Sequence, residues 1–343
     1  MRQLIGVSLV FLFLTSCIHD SKTAEKYYQQ GNQFYQQKNY EKAIDNFDAA
    51  IELDKDFYNA YLWRGHAYAE LYNFSQAFLD YEKALKISPD KPETYFFEGV
   101  ILYEIKKYKE SIAAFSKAIK IAPEYVDALI DRGWAYIEIQ NYKKAEEDFR
   151  YALSRAPQDA HAIAGLAQLS FLNKEYVSAL SLFNTGIRYN PDDSKLYYLR
   201  GELYLSLKDY HNAIVDFEKA ISINQIFVNA YKGRGFCLGE TGNLERAVDS
   251  FTKAIELSDK DVEAYNNRAY TYYEVGKFYD ALNDYNTAIA IDSTIPELFY
   301  GRSEVFVKIN MYPEALRDAE IAVSLSPTNT KYCEWRMKIL DLR

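Results

Sequence analysis

The chain has few of the residue types that would indicate several common classes of protein. Glycine and proline are scarce, at 14 and 8 of 343 residues, and this favours helices over an all-β fold. Basic residues are outnumbered, with 40 Lys and Arg against 49 Asp and Glu, which gives a net charge of −9. Because an acidic chain repels phosphate backbones, nucleic acid is not expected as the main partner.

Cysteine and histidine are also sparse, which argues against most metal-binding and nucleophilic chemistry. The cysteines give no disulfide framework, and they are Cys17, Cys237 and Cys333. The histidines show no pair at the spacing of metal ligands, and they are His19, His66, His161 and His211. No glycine-rich phosphate-binding loop is visible either. The sequence therefore predicts no metal, no cofactor and no enzymatic activity.

The first residues have the pattern of an export signal. An apolar run covers Leu4–Leu14 and is too short for a transmembrane helix, which needs roughly 20 residues. The residues LTSC that end at Cys17 resemble the lipobox of bacterial lipoproteins. That resemblance implies a signal peptide at 1–16, lipidation of Cys17 with palmitate or similar acyl chains, and a lipidated tether at 17–23. An ordinary signal peptide with an unmodified Cys17 is the alternative.

A period of 34 residues runs through most of the chain without insertion or deletion. Nine repeats follow one another, and they start at Ala24, Tyr58, Pro92, Val126, Ala160, Ser194, Val228, Val262 and Pro296. Position 8 is always small, at Gly31, Gly65, Gly99, Gly133, Ala167, Gly201, Gly235, Ala269 and Ser303. Position 24 is aromatic in eight repeats, at Phe47, Tyr81, Phe115, Phe149, Phe183, Phe217, Phe251 and Tyr285. Within each repeat, two stretches of about a dozen residues show helical periodicity.

This pattern resembles the tetratricopeptide repeat, which is a helix-turn-helix unit of 34 residues. The resemblance covers 24–329 and implies an all-α fold, a right-handed α-solenoid of nine repeats whose stacking makes a continuous core. The remaining residues, 330–343, read as one C-terminal capping helix. Its residues Cys333, Met337 and Leu340 are expected to cover the last repeat.

Charged residues recur at two positions of the repeat and suggest structural ion pairs. Position 7 carries Arg and position 23 carries Asp in five repeats, at Arg64 and Asp80, Arg132 and Asp148, Arg200 and Asp216, Arg268 and Asp284, and Arg302 and Asp318. A sixth arginine, Arg234, has Asp249 one place earlier instead. We interpret each set as a pair between helices A and B of one repeat. The alternative is a basic stripe that faces a ligand.

The family resemblance also implies where a partner would bind. In tetratricopeptide repeat proteins the first helix of each repeat, helix A, lines a concave groove that usually holds peptides. In repeats two to four this groove would have an apolar floor and an acidic rim, made of Leu62, His66, Phe96, Val100, Tyr103, Ile130, Trp134 and Ile137 with Glu70, Glu104 and Glu138. Trp134 is the strongest candidate, since a large aromatic at position 9 is hard to explain by stacking. Packing against the next helix A is the alternative for all of them.

The later repeats carry a more mixed set of groove residues, which predicts a second and more polar site. These residues include Tyr198, Glu202, Lys232, Phe236, Asn266, Tyr270, Tyr273, Tyr300 and Glu304. Some members of the family bind a C-terminal carboxylate through Lys and Asn on successive A helices. Lys232 and Asn267 match that arrangement in part, but Glu297 and Gly301 depart from it, and we do not expect such a clamp.

Together the two resemblances imply a membrane-tethered scaffold or adaptor. Its groove would bind partner peptides or proteins, with an envelope component as the expected partner, and the lipid would hold it to the membrane. The expected location is the bacterial cell envelope, and Ile18 after the cysteine favours the outer membrane over the inner one. Two other functions remain open, namely a structural or self-assembling envelope protein and a lipoprotein that binds peptidoglycan or another glycan.

Overall fold

The computed structural model describes residues 22–342, and every regular element in that range is a helix. Lipidation of Cys17 and the signal at 1–16 lie outside the described residues. The first helix, α1, includes 22–36. The others are α2 Tyr40–Leu53, α3 Tyr58–Glu70, α4 Phe74–Ile87, α5 Pro92–Glu104, α6 Tyr108–Ile121, α7 Val126–Glu138, α8 Tyr142–Arg155, α9 Ala160–Leu172, α10 Tyr176–Tyr189, α11 Ser194–Ser206, α12 Tyr210–Ile223, α13 Val228–Glu240, α14 Leu244–Leu257, α15 Val262–Val275, α16 Phe278–Ile291, α17 Pro296–Lys308, α18 Tyr312–Leu325 and α19 Thr330–Asp341.

Each repeat consists of one odd-numbered helix, helix A, and the even-numbered helix that follows it, helix B. The short turn between them has a residue with positive φ at position 15 in all nine of these repeats, for example Lys106 and Gly242. This left-handed residue ends helix A and reverses the chain. The side chain of the next residue caps helix B in three repeats. The side chain of Asn73 accepts a hydrogen bond from the backbone N–H of Gln76, and Asp209 does the same for Asn212.

The core repeats with the sequence and is organised around the aromatic residue at position 24. Phe217 on α12 is fully buried between two glycines, Gly201 on α11 and Gly233 on α13. A Cβ atom at Gly201 would lie 2.8 Å from the Phe217 ring, and one at Gly233 would lie 2.6 Å from it. Small residues on two successive A helices thus open the space that one ring fills, and this couples neighbouring repeats.

The described residues form two compact units, which divide between Leu169 and Ser170. Within the N-terminal unit, α5 lies beside α7. Within the C-terminal unit, α11 lies beside α13, α13 beside α15, and α15 beside α17. Successive A helices are therefore neighbours inside each unit, and we call the surface they share the A-helix face.

Helix α19 packs on α18, but not through the residues that the sequence suggested. Tyr332 and Ile339 are buried, and the Trp335 indole N–H donates a hydrogen bond to Ser303 Oγ at 2.9 Å. Met337 and Leu340 are exposed, so the prediction that they cover the last repeat was wrong. The contact face follows the spacing i, i+3 and i+7 from Tyr332, which turns the predicted residues towards solvent.

Candidate ligand-binding face of the A helices

The five arginine–aspartate sets are in contact in the structure. In each, the guanidinium donates two hydrogen bonds to one carboxylate, with nitrogen–oxygen distances between 2.5 and 2.8 Å. All five aspartates are buried. Although burial opposes the charge of Arg200, the hydrogen bonds and charge of Asp216 raise the pKa of its guanidinium. Arg234 differs, because its Nε donates to Ser250 Oγ at 3.1 Å.

The same arginines make a further contact that the sequence did not reveal. In each, Nη1 donates to a side chain on helix B of the preceding repeat, and these acceptors are Asp48, Ser116, Asn184, Thr252 and Asn286. Each arginine therefore joins three helices. Its guanidinium is hydrogen-bonded to other helices of the stack, so we interpret the pairs as structural. The contacts do not favour the alternative, a basic stripe that faces a ligand.

Four of the predicted groove residues in the N-terminal unit are buried, namely Leu62, His66, Ile130 and Trp134. Trp134 is only 8% exposed, and its ring lies 5.7 Å from that of Phe149. Packing on the position-24 aromatic of the same repeat therefore accounts for a tryptophan at position 9. The expectation that Trp134 is hard to explain by stacking was wrong, and these four buried side chains offer little surface to a partner.

His66 occupies a position like that of Trp134, and its surroundings keep it neutral. Its Nδ1 lies 2.7 Å from the hydroxyl of Tyr81, and its ring contacts Trp63 and Phe97. Burial lowers the pKa of His66 from 6.5 to about 4.

His66 should make the fold sensitive to acid. Between pH 6.5 and about 4 the unfolded chain takes up a proton on His66 that the folded chain does not, so the free energy of unfolding falls as the pH drops. We expect the loss to be about 3 kcal/mol. Urea unfolding measured between pH 6.5 and about 4 should show this fall in the free energy of unfolding for the wild type. The variant His66→Phe, which cannot take up the proton, should lack this contribution. Parallel pH profiles for the two proteins would contradict this assignment.

The other predicted residues of the N-terminal unit are more accessible. Phe96, Val100, Tyr103 and Ile137 are half-buried, whereas Glu70, Glu104 and Glu138 are exposed. Two of the acids accept hydrogen bonds from tyrosines, Glu70 from Tyr35 at 3.4 Å and Glu138 from Tyr103 at 3.3 Å. This surface keeps its apolar and acidic character, but part of its acidic rim already has partners within the stack.

A second candidate site lies on the A-helix face of the C-terminal unit, on helices α11, α13 and α15. A cavity of about 500 Å³ opens there, and its lining includes Tyr198, Glu202, Lys232, Phe236, Glu263 and Asn267. Four of these were proposed from the sequence as a second, more polar site, and the structure brings them together. The sequence argument did not include Glu263 as a site residue, and it considered Asn267 only for the carboxylate clamp.

The charged residues of this cavity differ in their partners. Lys232 Nζ lies 3.0 Å from Asp261 and 2.6 Å from Glu263. Burial opposes the charge of Lys232, but hydrogen bonds from its ammonium to these two acids raise its pKa. Burial raises the pKa of Glu202, and the nearby charge of Glu263 adds to this. Lys208 and Lys232 are the basic residues of this lining, and Lys232 is thus held by acids of the chain itself.

A smaller cavity of about 250 Å³ adjoins the first, because Phe236 and Asn267 line both. Its lining also includes Tyr270, Glu240 and Glu274. Phe236 is 43% exposed and Tyr270 is 54% exposed, although both are aromatic. A Cβ atom added to Gly239 would meet nothing within 4 Å, so the missing side chain leaves space beside Phe236. Aromatic surface, amides and carboxylates together form a site able to bind a polypeptide segment.

The described helix pairs, each stacked on the next within its unit, define an α-solenoid scaffold, and this confirms the all-α prediction. Family models described as TPR repeat match 31–71 and 238–276, and models described as tetratricopeptide repeat match 58–91, 92–125, 140–203, 194–227 and 262–294. The chain belongs to the tetratricopeptide repeat family. A comparison with curated proteins gave no match.

Solved structures show the same fold at low sequence identity. A tetratricopeptide repeat protein from Parabacteroides merdae matches with a TM-score of 0.64 and 23% identity, over 73% of this chain and 99% of that one. A chain of the APC/C hetero-tetramer Cut9–Hcn1 matches with a TM-score of 0.62 and 14% identity, over 92% of this chain and 76% of that one. Pseudomonas aeruginosa pilF matches with a TM-score of 0.57 and 17% identity, over 63% of this chain and 98% of that one.

The family and the structure also bear on other kinds of function. The tetratricopeptide repeat fold is generally a non-catalytic scaffold for protein–protein interaction. In the part of the chain that the structure describes, no group of His, Cys, Asp and Glu could hold a metal ion. In that same part, no helix combines the length and apolar character needed to cross a membrane.

Proposed function

We propose that this protein is a membrane-tethered adaptor that binds a polypeptide partner on the A-helix face of its C-terminal unit. The observation that carries the proposal is the pair of adjoining cavities on α11, α13 and α15, where Phe236 and Tyr270 remain exposed. Exposed aromatic side chains beside concave space are the usual anchor points of protein interfaces. The Cut9–Hcn1 hetero-tetramer supports an assembly role for a similar fold.

Replacing the two exposed aromatics should abolish binding of the partner. We expect a tagged wild-type chain to capture one protein from native envelopes, and we expect Phe236→Ala with Tyr270→Ala to lose at least about 90% of it, since a central aromatic anchor contributes 2 kcal/mol or more. Quantitative mass spectrometry of the captured proteins measures this. Because both side chains are already well exposed, the double variant should fold normally.

A matched control uses exposed apolar residues on B helices of the same unit. Val215 on α12 and Tyr279 on α16 are 52% and 78% exposed, and changing both to Ala should leave capture intact. Equal capture by wild type and by the Phe236 and Tyr270 variant would contradict the proposed site. A variant with Glu70, Glu104 and Glu138 changed to Gln then tests the acidic surface of the N-terminal unit.

The membrane tether is proposed from the sequence around Cys17, which lies outside the described residues. The residues LTSC and the apolar run before them support lipidation in the bacterial envelope, and Ile18 supports the outer membrane. Cells fed a palmitate analogue should label the wild-type chain, and Cys17→Ser should remove the label and release the protein from membranes. Labelling that persists in Cys17→Ser would contradict the tether.

A further inference from the structure

The Glu202 carboxylate lines the larger cavity, and no hydrogen-bond donor within residues 22–342 reaches it. Burial and the charge of Glu263 raise the pKa of the Glu202 carboxyl, whereas the charge of Lys232 lowers it. Within residues 22–342, no side chain or backbone group donates a hydrogen bond to Glu202. Lys232 is held by Asp261 and Glu263 at 3.0 and 2.6 Å. The half-buried Glu202 carboxylate therefore has no partner in the chain and can accept a charge-assisted hydrogen bond from a cation that enters the cavity.

The rest of the lining suits a cation with an apolar stem. Tyr198 and Phe236 line the same cavity as Glu202 and offer aromatic surface to the methylene groups and the charge of a Lys or Arg side chain. Across both cavities, the acids are Glu202, Glu240, Glu263 and Glu274, and the basic residues are Lys208 and Lys232. The acidic excess repels a segment rich in carboxylates.

The smaller cavity extends this preference to an apolar neighbour. Tyr270 lines that cavity, and Phe236 lines both of them. A segment that spans both cavities therefore meets the Glu202 carboxylate in the larger one and the Tyr270 ring in the smaller one, with Phe236 shared by both. That arrangement fits a cationic residue near an apolar residue, and it does not fit an anionic segment.

We propose, on the basis of the adaptor function above, that the site selects a polypeptide segment with an Arg or Lys side chain bound to Glu202 and a nearby apolar side chain against Phe236 and Tyr270. The partner is thus a protein with a basic, partly apolar segment. Glu202 and Phe236 determine its specificity.

The test uses defined peptide pools and the full-length protein in detergent micelles. One pool has Arg fixed at its centre and a second has citrulline, a neutral isostere of Arg, while the other positions are mixtures of Ala, Ser, Gly, Leu and Phe. Fluorescence anisotropy should show the Arg pool binding wild type about tenfold more tightly than the citrulline pool. Glu202→Gln should reduce this ratio to about one, because the charge-assisted hydrogen bond between the Arg side chain and the carboxylate is lost.

A charge-matched control and a reversal variant complete the design. Glu320 is exposed on α18, and Glu320→Gln should keep the tenfold ratio. Glu202→Lys should reverse the preference, favouring a pool with Glu at the centre. Circular dichroism of each variant checks that it is folded.

The outcomes separate this inference from the function on which it rests. If both pools bind wild type equally and lose affinity in Phe236→Ala, the groove binds polypeptides and the cation preference is overturned. If the Arg preference persists in Glu202→Gln, the placement of the cation at Glu202 is overturned. If neither pool binds wild type while the envelope partner is still captured, the specificity inference fails and the adaptor function stands.

Discussion

Replacing Phe217 with Ala should destabilise the C-terminal unit by about 3–5 kcal/mol, the range expected for removal of a fully buried aromatic ring. The ring is fully buried on α12 and fills the space left by Gly201 and Gly233 on two successive A helices. Its loss therefore opens a cavity between repeats as well as inside one. Urea unfolding followed by circular dichroism measures the change.

The effect should also appear as a loss of cooperativity. Because each repeat is stabilised mainly by its neighbours, weakening one interface lets the array unfold in parts. Val215→Ala, two residues away on the same helix and exposed, is the matched control and should change stability by less than about 0.5 kcal/mol. A cost below about 1 kcal/mol for Phe217→Ala would show that the ring is not the joint between these repeats.

Arg200→Leu should destabilise the same unit by about 3 kcal/mol, mainly because it leaves the buried carboxylate of Asp216 without its partner. The guanidinium donates to Asp216 at 2.7 and 2.6 Å and to Asn184 at 2.5 Å. Arg200→Leu combined with Asp216→Leu should be less destabilising than Arg200→Leu alone, since no charge is then left buried.

An exposed ion pair of the same unit provides the comparison. Arg246 and Glu218 are 2.9 Å apart on the surface, and Arg246→Leu should change the free energy of unfolding by less than about 1 kcal/mol. The diagnostic result is the coupling between Arg200 and Asp216 in a double-mutant cycle. If the effects of the two single substitutions simply add, the pair does not stabilise the fold as the geometry indicates.

The sequence predicted the architecture well because the 34-residue period itself locates the start of each repeat and of its helices. Helices α11, α15 and α17 begin at Ser194, Val262 and Pro296, which are the residues where the 34-residue pattern begins a repeat. The arginine–aspartate contacts followed from co-occurrence at positions 7 and 23. The third partner of each arginine was missed, since position 25 varies between Asp, Ser, Asn and Thr and shows no single residue type.

The candidate site was harder to predict because equivalent positions differ in exposure. Trp134 and Phe236 both occupy position 9 of their repeats, yet Trp134 is 8% exposed and Phe236 is 43% exposed. The period places a side chain on a helix but does not determine whether neighbouring side chains cover it. Gly239, which leaves open space beside Phe236, was the available signal in the sequence, and its meaning depends on the packing around it.

Site-specific photo-crosslinking in cells tests the proposed partner surface most directly. Benzoylphenylalanine in place of Phe236 or Tyr270 should form an adduct with one and the same protein, because both residues line the smaller cavity on the A-helix face. The same probe in place of Tyr279, which is exposed on a B helix, should not form that adduct. A protein adduct from position 279 together with none from positions 236 and 270 would contradict the proposed binding face.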